Sequence, residues 1–231
     1  MKHRKFWWWL IMIILITIMI IVPIYNSKGF QSYIINHSQT KIAKKITQKN
    51  IENANHSDGN YNGKLTQDAN NKILMKNQLK ANHVQPLGIM SIPAIKMVNP
   101  ILNGYGDDGS YLALGACTMK PNQIMGQGNY ALAGHYMKSN TIFHSLSKTQ
   151  IGMNVYLTNL HHIYDYKVTN VQTIDDNDIQ VINSTAQPTV TLITCVGLNA
   201  TPYRTCVKGK LIKIIPSSVK NLKKFDLDLN R

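Results

Sequence analysis

Apolar and polar positions divide the chain into three stretches of different texture. Phe6 to Tyr25 (FWWWLIMIILITIMIIVPIY) is twenty residues without a charge. At 1.5 Å per residue it predicts a helix of about 30 Å, the hydrocarbon thickness of a bilayer. Lys2, Arg4 and Lys5 precede it, and basic residues flanking a span stay on the cytoplasmic side. Trp7, Trp8 and Trp9 fall where an aromatic belt lies at the inner interface. A cleaved signal peptide shares the basic start, but its apolar core runs to only about 7–15 residues and ends at a small-x-small site that is missing here. Residues 1–25 are therefore read as a cytoplasmic start and an uncleaved membrane anchor. Everything after residue 25 is then outside the cell.

Residues 26–85 change to Asn, Lys, Gln and Ser with few aromatics. They read as an extracellular tether, partly helical. Ile34, Ile35, Ile42 and Ile46 recur at roughly helical spacing, and Asp68 to Lys80 suggests a second weak helix. Asn53 to Gly63 reads as a loop. As a coil, such a stretch would reach about 45 Å end to end.

From Pro86 the texture changes again, to short apolar runs between turn residues. They are Leu87–Ile92, Pro100–Leu102, Tyr111–Ala116, Asn129–His135, Asn154–Leu157, Tyr164–Ile174, Val190–Val196 and Arg204–Ile215. Eight runs rich in β-branched and aromatic residues predict an all-β barrel or sandwich over 86–231. Thr141 to Lys148 is the one stretch there that reads as a helical turn.

Charge alters the picture only in its distribution. The 231 residues carry 25 Lys and Arg against 11 Asp and Glu, a formal +14. The excess is +3, +6 and +5 over the three stretches, with no dense basic block and no base-stacking motif beside it. Nucleic acid is excluded as the expected partner, and a membrane or another anionic surface fits better. Three cysteines are too few for a disulfide framework and form no CxxC metal pair.

Those thiols are the obvious candidates for chemistry. Cys195 ends the apolar run Thr189-Val-Thr-Leu-Ile-Thr-Cys and precedes a Gly- and Pro-containing loop, so its strand stops where a substrate can reach it. Cys117 and Cys206 sit inside strand patterns and read as small buried hydrophobes. Cys206 shares the strand face of Arg204 and could approach Cys195, though a buried apolar thiol is the simpler reading. His135 ends its own run after Gly134, which permits close backbone approach. Arg204 opens the run that follows the Cys195 loop. If those strands pair antiparallel, Arg204 lies beside Cys195. A thiol, an imidazole and a guanidinium would then gather at one end, where positive charge stabilises a thiolate and a fork of donors can meet an oxyanion. His37, His56 and His83 fall in the tether, His161 and His162 in a hairpin turn, and His144 on the helical turn.

Four stretches in this order, Ala116-Cys-Thr-Met-Lys-Pro121, GQGNYALAGH ending at His135, TLITC ending at Cys195 and RTCVKG opening at Arg204, resemble the class A sortases. The resemblance covers about Pro86 to Ile215 and includes the anchored layout. It implies an eight-stranded sortase-type β-barrel with a short helix, and a cysteine transpeptidase of Gram-positive bacteria. Such an enzyme cleaves LPxTG-type sorting signals of surface proteins between Thr and Gly and joins them to an amine of the cell-wall precursor lipid II. Cys195 would be the nucleophile, His135 the proton carrier and Arg204 the holder of substrate and oxyanion. Thr194 matches a family position that also helps at the oxyanion. Ala133, Thr191 and Ile193 match groove positions for the Leu-Pro part of the signal, although core packing accounts for them almost as well. Calcium-dependent members place carboxylates upstream of the catalytic His and in a later loop. Here Cys117 to Ala133 contains no Asp or Glu, so no metal or other cofactor is expected. Asp175, Asp176 and Asp178 in the later loop read as solvated. A protease that only hydrolyses needs the same three residues, and a non-catalytic surface module needs none of them.

Overall fold

Turn residues cut the C-terminal two-thirds of the chain into strands too short and too one-sided to stand alone, and the computed structural model closes them on one another. It describes residues 2–62, 71–198 and 201–229. Eight strands form a closed barrel in the order β1-β2-β3-β4-β7-β8-β6-β5. They are β1 (Pro86–Ile92), β2 (Met97–Leu102), β3 (Ala116–Thr118), β4 (Asn129–Ala133), β5 (Asn154–Thr158), β6 (His162–Asp175), β7 (Thr189–Cys195) and β8 (Tyr203–Pro216). β2 and β3 run parallel, as do β4 and β7; the other neighbours are antiparallel. β6 and β8 pair along their whole lengths, with bulges at Asp165/Tyr166 and Val168/Asn170. Alternate side chains fill the interior, among them Met90, Ile92, Ile101, Tyr130, Leu132, Tyr166, Val190, Leu192 and Val207, each 0% or 1% exposed.

One expected strand is mostly something else. Tyr111–Ala116 begins as a 3-10 turn over Ser110–Ala113, entered through Gly109 at φ 70°, and the strand proper is only Ala116–Thr118. The apolar residues that suggested a strand there, Leu112 and Ala113, are buried by packing rather than by pairing. The helical turn expected at Thr141–Lys148 is present as a 3-10 helix over His144–Lys148.

Among the described residues the N-terminal third holds four helices: α1 (Lys2–Tyr25), α2 (Lys28–Ala43), α3 (Gln48–Asn55) and α4 (Asn71–Lys80). α1 carries the apolar run, and Lys5–Tyr25 is long and apolar enough to cross a bilayer. Only Asn26 and Ser27 separate it from α2, whose first turn is capped by the Ser27 hydroxyl accepting from Phe30 N at 3.0 Å. The described part of 26–85, a stretch that reads from sequence as a tether, does not stand clear of the barrel. Ile34 and Ile35 of α2, Ala54 of α3 and Leu74 of α4 belong to the same buried cluster as Met90, Leu132 and Leu192. Polar ties add to this. Gln39 Nε2 donates to Asn99 Oδ1 (2.9 Å), Lys80 pairs with Asp108 (2.6 Å), and the Tyr61 hydroxyl meets Thr118 Oγ1 (2.9 Å). The composition of this stretch is polar, but its few isoleucines line one side of α2, and a helix buries a stripe rather than an average. The expected helix over 68–80 begins at Asn71, its first three positions lying outside the described residues. A last helix, α5 (Val219–Lys224), brings Phe225 onto Tyr156 (ring centroids 4.4 Å apart) and buries Leu227 against Ile89 and Ile163.

Candidate active site

The site is built on three neighbouring strands at one end of the barrel. β4 and β7 run parallel with Ala133 opposite Ile193, and Gly134 N then donates to Ile193 O at 3.2 Å. Two residues beyond that pair come His135, just past the end of β4 rather than at the end of the strand as the sequence pattern suggests, and Cys195, the last residue of β7. On the far side β7 runs antiparallel to β8 with Cys195 directly opposite Arg204. Val196 N donates to Tyr203 O at 3.1 Å. The adjacent Cys195–Arg204 pair is therefore of the narrow type, in which side chains stand close. Neighbouring strands lie about 4.8 Å apart. The thiol thus has the imidazole-bearing strand end on one flank and the guanidinium-bearing one on the other.

Alternation decides which face these groups share. Val190 and Leu192 point into the core, so Thr191, Ile193 and Cys195 point outward. Outward, Ile193 stands opposite Ala133 on one side and Cys206 on the other. His135, Cys195 and Arg204 are all half-buried. His135 is fixed through its backbone: its N–H donates to Leu112 O (2.9 Å) and its carbonyl accepts from Phe143 N (3.3 Å). Gly134 is needed for that packing, since a Cβ there would lie 3.0 Å from both the Phe143 ring and Ile142.

The other expected positions are arranged as follows. Thr194 points inward and is buried, and its hydroxyl donates to Gly134 O at 2.8 Å. It is not on the outward face of Cys195, because alternation turns it inward; it stitches β7 to the residue before His135. Thr191 is fully buried and donates to Asn129 Oδ1 at 2.8 Å. Asn129 in turn donates to Val181 O and Asn183 O, both at 2.9 Å, which pins the β6–β7 connection over this face. Ala133 is buried and Ile193 half-buried, so they form a floor rather than a rim.

The three thiols separate by burial. Cys117 and Cys206 are 0% exposed while Cys195 is accessible, and all three are free. Burial drives the Cys117 thiol well above the ordinary thiol range. Burial also raises that of Cys206, against a small opposing pull from Lys208. Both are therefore held as inert thiols.

Sequence reading missed Asp176. The sequence pattern reads as a solvated side chain, yet its carboxylate pairs with Arg204 Nη2 at 3.2 Å and its N–H donates to Pro202 O at 2.7 Å. The Asn177 N–H, outweighing slight desolvation, holds the neighbouring Asp175 carboxyl below its usual value, with the Asn177 amide, Asp176 and the Arg204 charge adding to the effect. Only knowledge that the end of β6 pairs with the start of β8 (Ile174 with Arg204, Asp175 with Tyr203) could have located this contact. Among the described residues no group of three or more His, Cys, Asp and Glu is arranged to hold a metal ion.

A domain family described as the sortase domain matches residues 90–212. Over 197 residues the chain is 30% identical to sortase A of Listeria monocytogenes, covering 85% of this chain and 86% of that protein. It is 36% identical to sortase A of Bacillus anthracis over 129 residues, 55% of this chain and 60% of that one. The crystal structure of L. monocytogenes sortase A superposes with a TM-score of 0.58 at 33% identity, over 61% of this chain and 96% of that one.

Proposed function

The chain belongs to the sortase family, and from that premise we propose how this cysteine transpeptidase, anchored at the membrane through α1, attaches surface proteins. The Cys195 sulfur attacks the Thr carbonyl of an LPxTG-type signal. The Thr–Gly amide bond breaks, a thioester to Cys195 forms, and His135 gives a proton to the departing Gly amine. An amine of lipid II then attacks the thioester, His135 takes up its proton, an amide forms and Cys195 leaves as the thiolate, ready for the next attack. Arg204 donates to the oxyanion in both steps. Ile193 and Ala133 support the Leu-Pro part of the signal, and Thr194 holds the His135 strand end at its proper spacing. The carrying observation is the facing pair of Cys195 and Arg204, with the β4 end bearing His135 on the next strand.

The remaining features of the reading have their own support. The basic residues Lys2, Arg4 and Lys5 at the start of α1, ahead of its apolar run, favour an N-terminus in the cytoplasm and a barrel outside. Calcium is not required: no acid lies between Cys117 and Ala133, the Gln123 amide there is committed to the Ala131 backbone in both directions (3.0 and 2.8 Å), and Asp176 is committed to Arg204. The shared burial of α2–α4 with the barrel supports a catalytic unit that includes residues 26–85 rather than 86–231 alone.

The test uses the full chain in detergent or bilayer discs, a fluorogenic LPxTG peptide and a glycine amine. Cleavage at Thr–Gly with the amine in the product is expected, unchanged by a calcium chelator and lost in Cys195→Ala. Hydrolysis alone, even at high amine, identifies a protease instead. Activity that survives Cys195→Ala overturns the mechanism.

A further inference from the structure

We propose that Asp176 is a positioning residue for Arg204, fixing which edge of its guanidinium faces the thiol. The proposal rests on reading Arg204 as the oxyanion donor. Asp176 is the first residue after β6, and in the sheet order β7-β8-β6 it approaches Arg204 from the side away from Cys195. Its Oδ2 accepts from Arg204 Nη2 at 3.2 Å. Arg204 Nη1 donates to Thr201 O and to Tyr203 O, the latter at 2.9 Å. Asp176 N donates to Pro202 O at 2.7 Å, so the carboxylate is tied to the same turn that supplies those carbonyls. The guanidinium is therefore gripped by a carboxylate and two carbonyls.

A guanidinium has five N–H donors in one rigid plane. Both hydrogens of Nη1 and one of Nη2 are spent on this grip. Among the described residues that leaves Nε–H and the second Nη2 hydrogen for a ligand. A fork held along one side presents the other in a fixed direction, which is what stabilisation of a developing oxyanion requires. Unheld, the side chain would sample many rotamers, and only a fraction would aim donors at the carbonyl beside Cys195.

Exposure argues that orientation, not stability, is the role of the pair. The Asp176 side chain is 38% exposed and that of Arg204 16%, and such partly exposed pairs add little to folding.

The full chain is assayed for amine-dependent transfer as wild type, Asp176→Ala, Asp176→Asn, Arg204→Ala and the Asp176→Ala/Arg204→Ala double variant. Asp176→Ala is expected to lower kcat about 10-fold with KM within about 2-fold, the pattern of a lost transition-state interaction. Asp176→Asn keeps an acceptor for Nη2 and should lose only about 3-fold. Melting temperatures should match wild type. In the Arg204→Ala background, removing Asp176 should cost nothing further, because the effect passes through Arg204. An unchanged or faster Asp176→Ala enzyme overturns the proposal, as does an equal loss in the Arg204→Ala background. The underlying reading fails separately, if Arg204→Ala itself transfers at the wild-type rate.

Discussion

Three thiols with the same chemistry are given different fates by where each falls along its strand. Cys195 stands at the last position of β7 and is accessible, whereas Cys206, two residues along β8 from Arg204, is fully buried. The local pattern made this choice readable, since a strand that stops at a thiol before a loop exposes it. Thr194 was not readable in the same way. Its neighbour relation to Cys195 suggested a shared task, but alternation turns it inward, onto Gly134 O. Replacing it with Val leaves that carbonyl without its donor, at a cost of about 1–3 kcal/mol. Thr194→Val should therefore unfold at lower denaturant, and transfer should slow because His135 follows Gly134 directly. A variant with wild-type stability and rate would show that the bond does neither. Asp176 was unreadable because its partner Arg204 is 28 residues away on a strand whose neighbour cannot be deduced locally.

At the scale of elements, seven of the eight strand runs were legible as period-two or continuous apolar patterns, and the eighth was hidden because β3 is only three residues long. The α2–α4 collar was the larger surprise. Burying a stripe of a helix takes only a few apolar residues, and an otherwise polar segment conceals them. Ile35 is 1% exposed and joins the barrel's own core cluster. Ile35→Ala should destabilise the barrel by about 2–5 kcal/mol in chemical denaturation; a change within error would mean the helix is only laid on the surface. The end of α4 is tied to the loop that leads into the 3-10 turn before β3 by Lys80 and Asp108. Burial pushes the Asp108 carboxyl up, but hydrogen bonds from Lys80 and Ser110 and the Lys80 charge outweigh it and bring it to about 2, against an ordinary 3.8. A folded-state value below the unfolded one means the stabilisation is present above pH of about 4 and fades as pH falls toward 2. The wild type should lose urea resistance over that interval more steeply than Asp108→Asn. Identical slopes would remove this pair from the acid response, and solvent screening keeps its contribution modest.

The whole molecule combines a membrane span, a helical collar and a barrel with very little chain between the first two. Asn26 and Ser27 are the only residues between α1 and a helix whose Ile34 and Ile35 are buried with the barrel core. A short joint of that kind keeps the barrel near the foot of the span rather than on a long leash. Full-length protein is expected to co-sediment with lipid vesicles, and a chain beginning at Asn26 to remain in the supernatant. Co-sedimentation of both would assign membrane binding to the basic surface instead of the span. By itself the sequence determined the apolar span, seven of the strand runs and the accessible thiol at the end of its strand, and it singled out His135 and Arg204 as candidate companions, because each is written in neighbouring residues through periodicity, turn chemistry or motif. Only the tertiary structure decided what lies across from what: the β4 end beside the end of β7, sixty residues on, the carboxylate that grips Arg204, and the helices that close over the barrel. Those relations depend on strand register and on burial between distant segments, and no short window of sequence contains both partners.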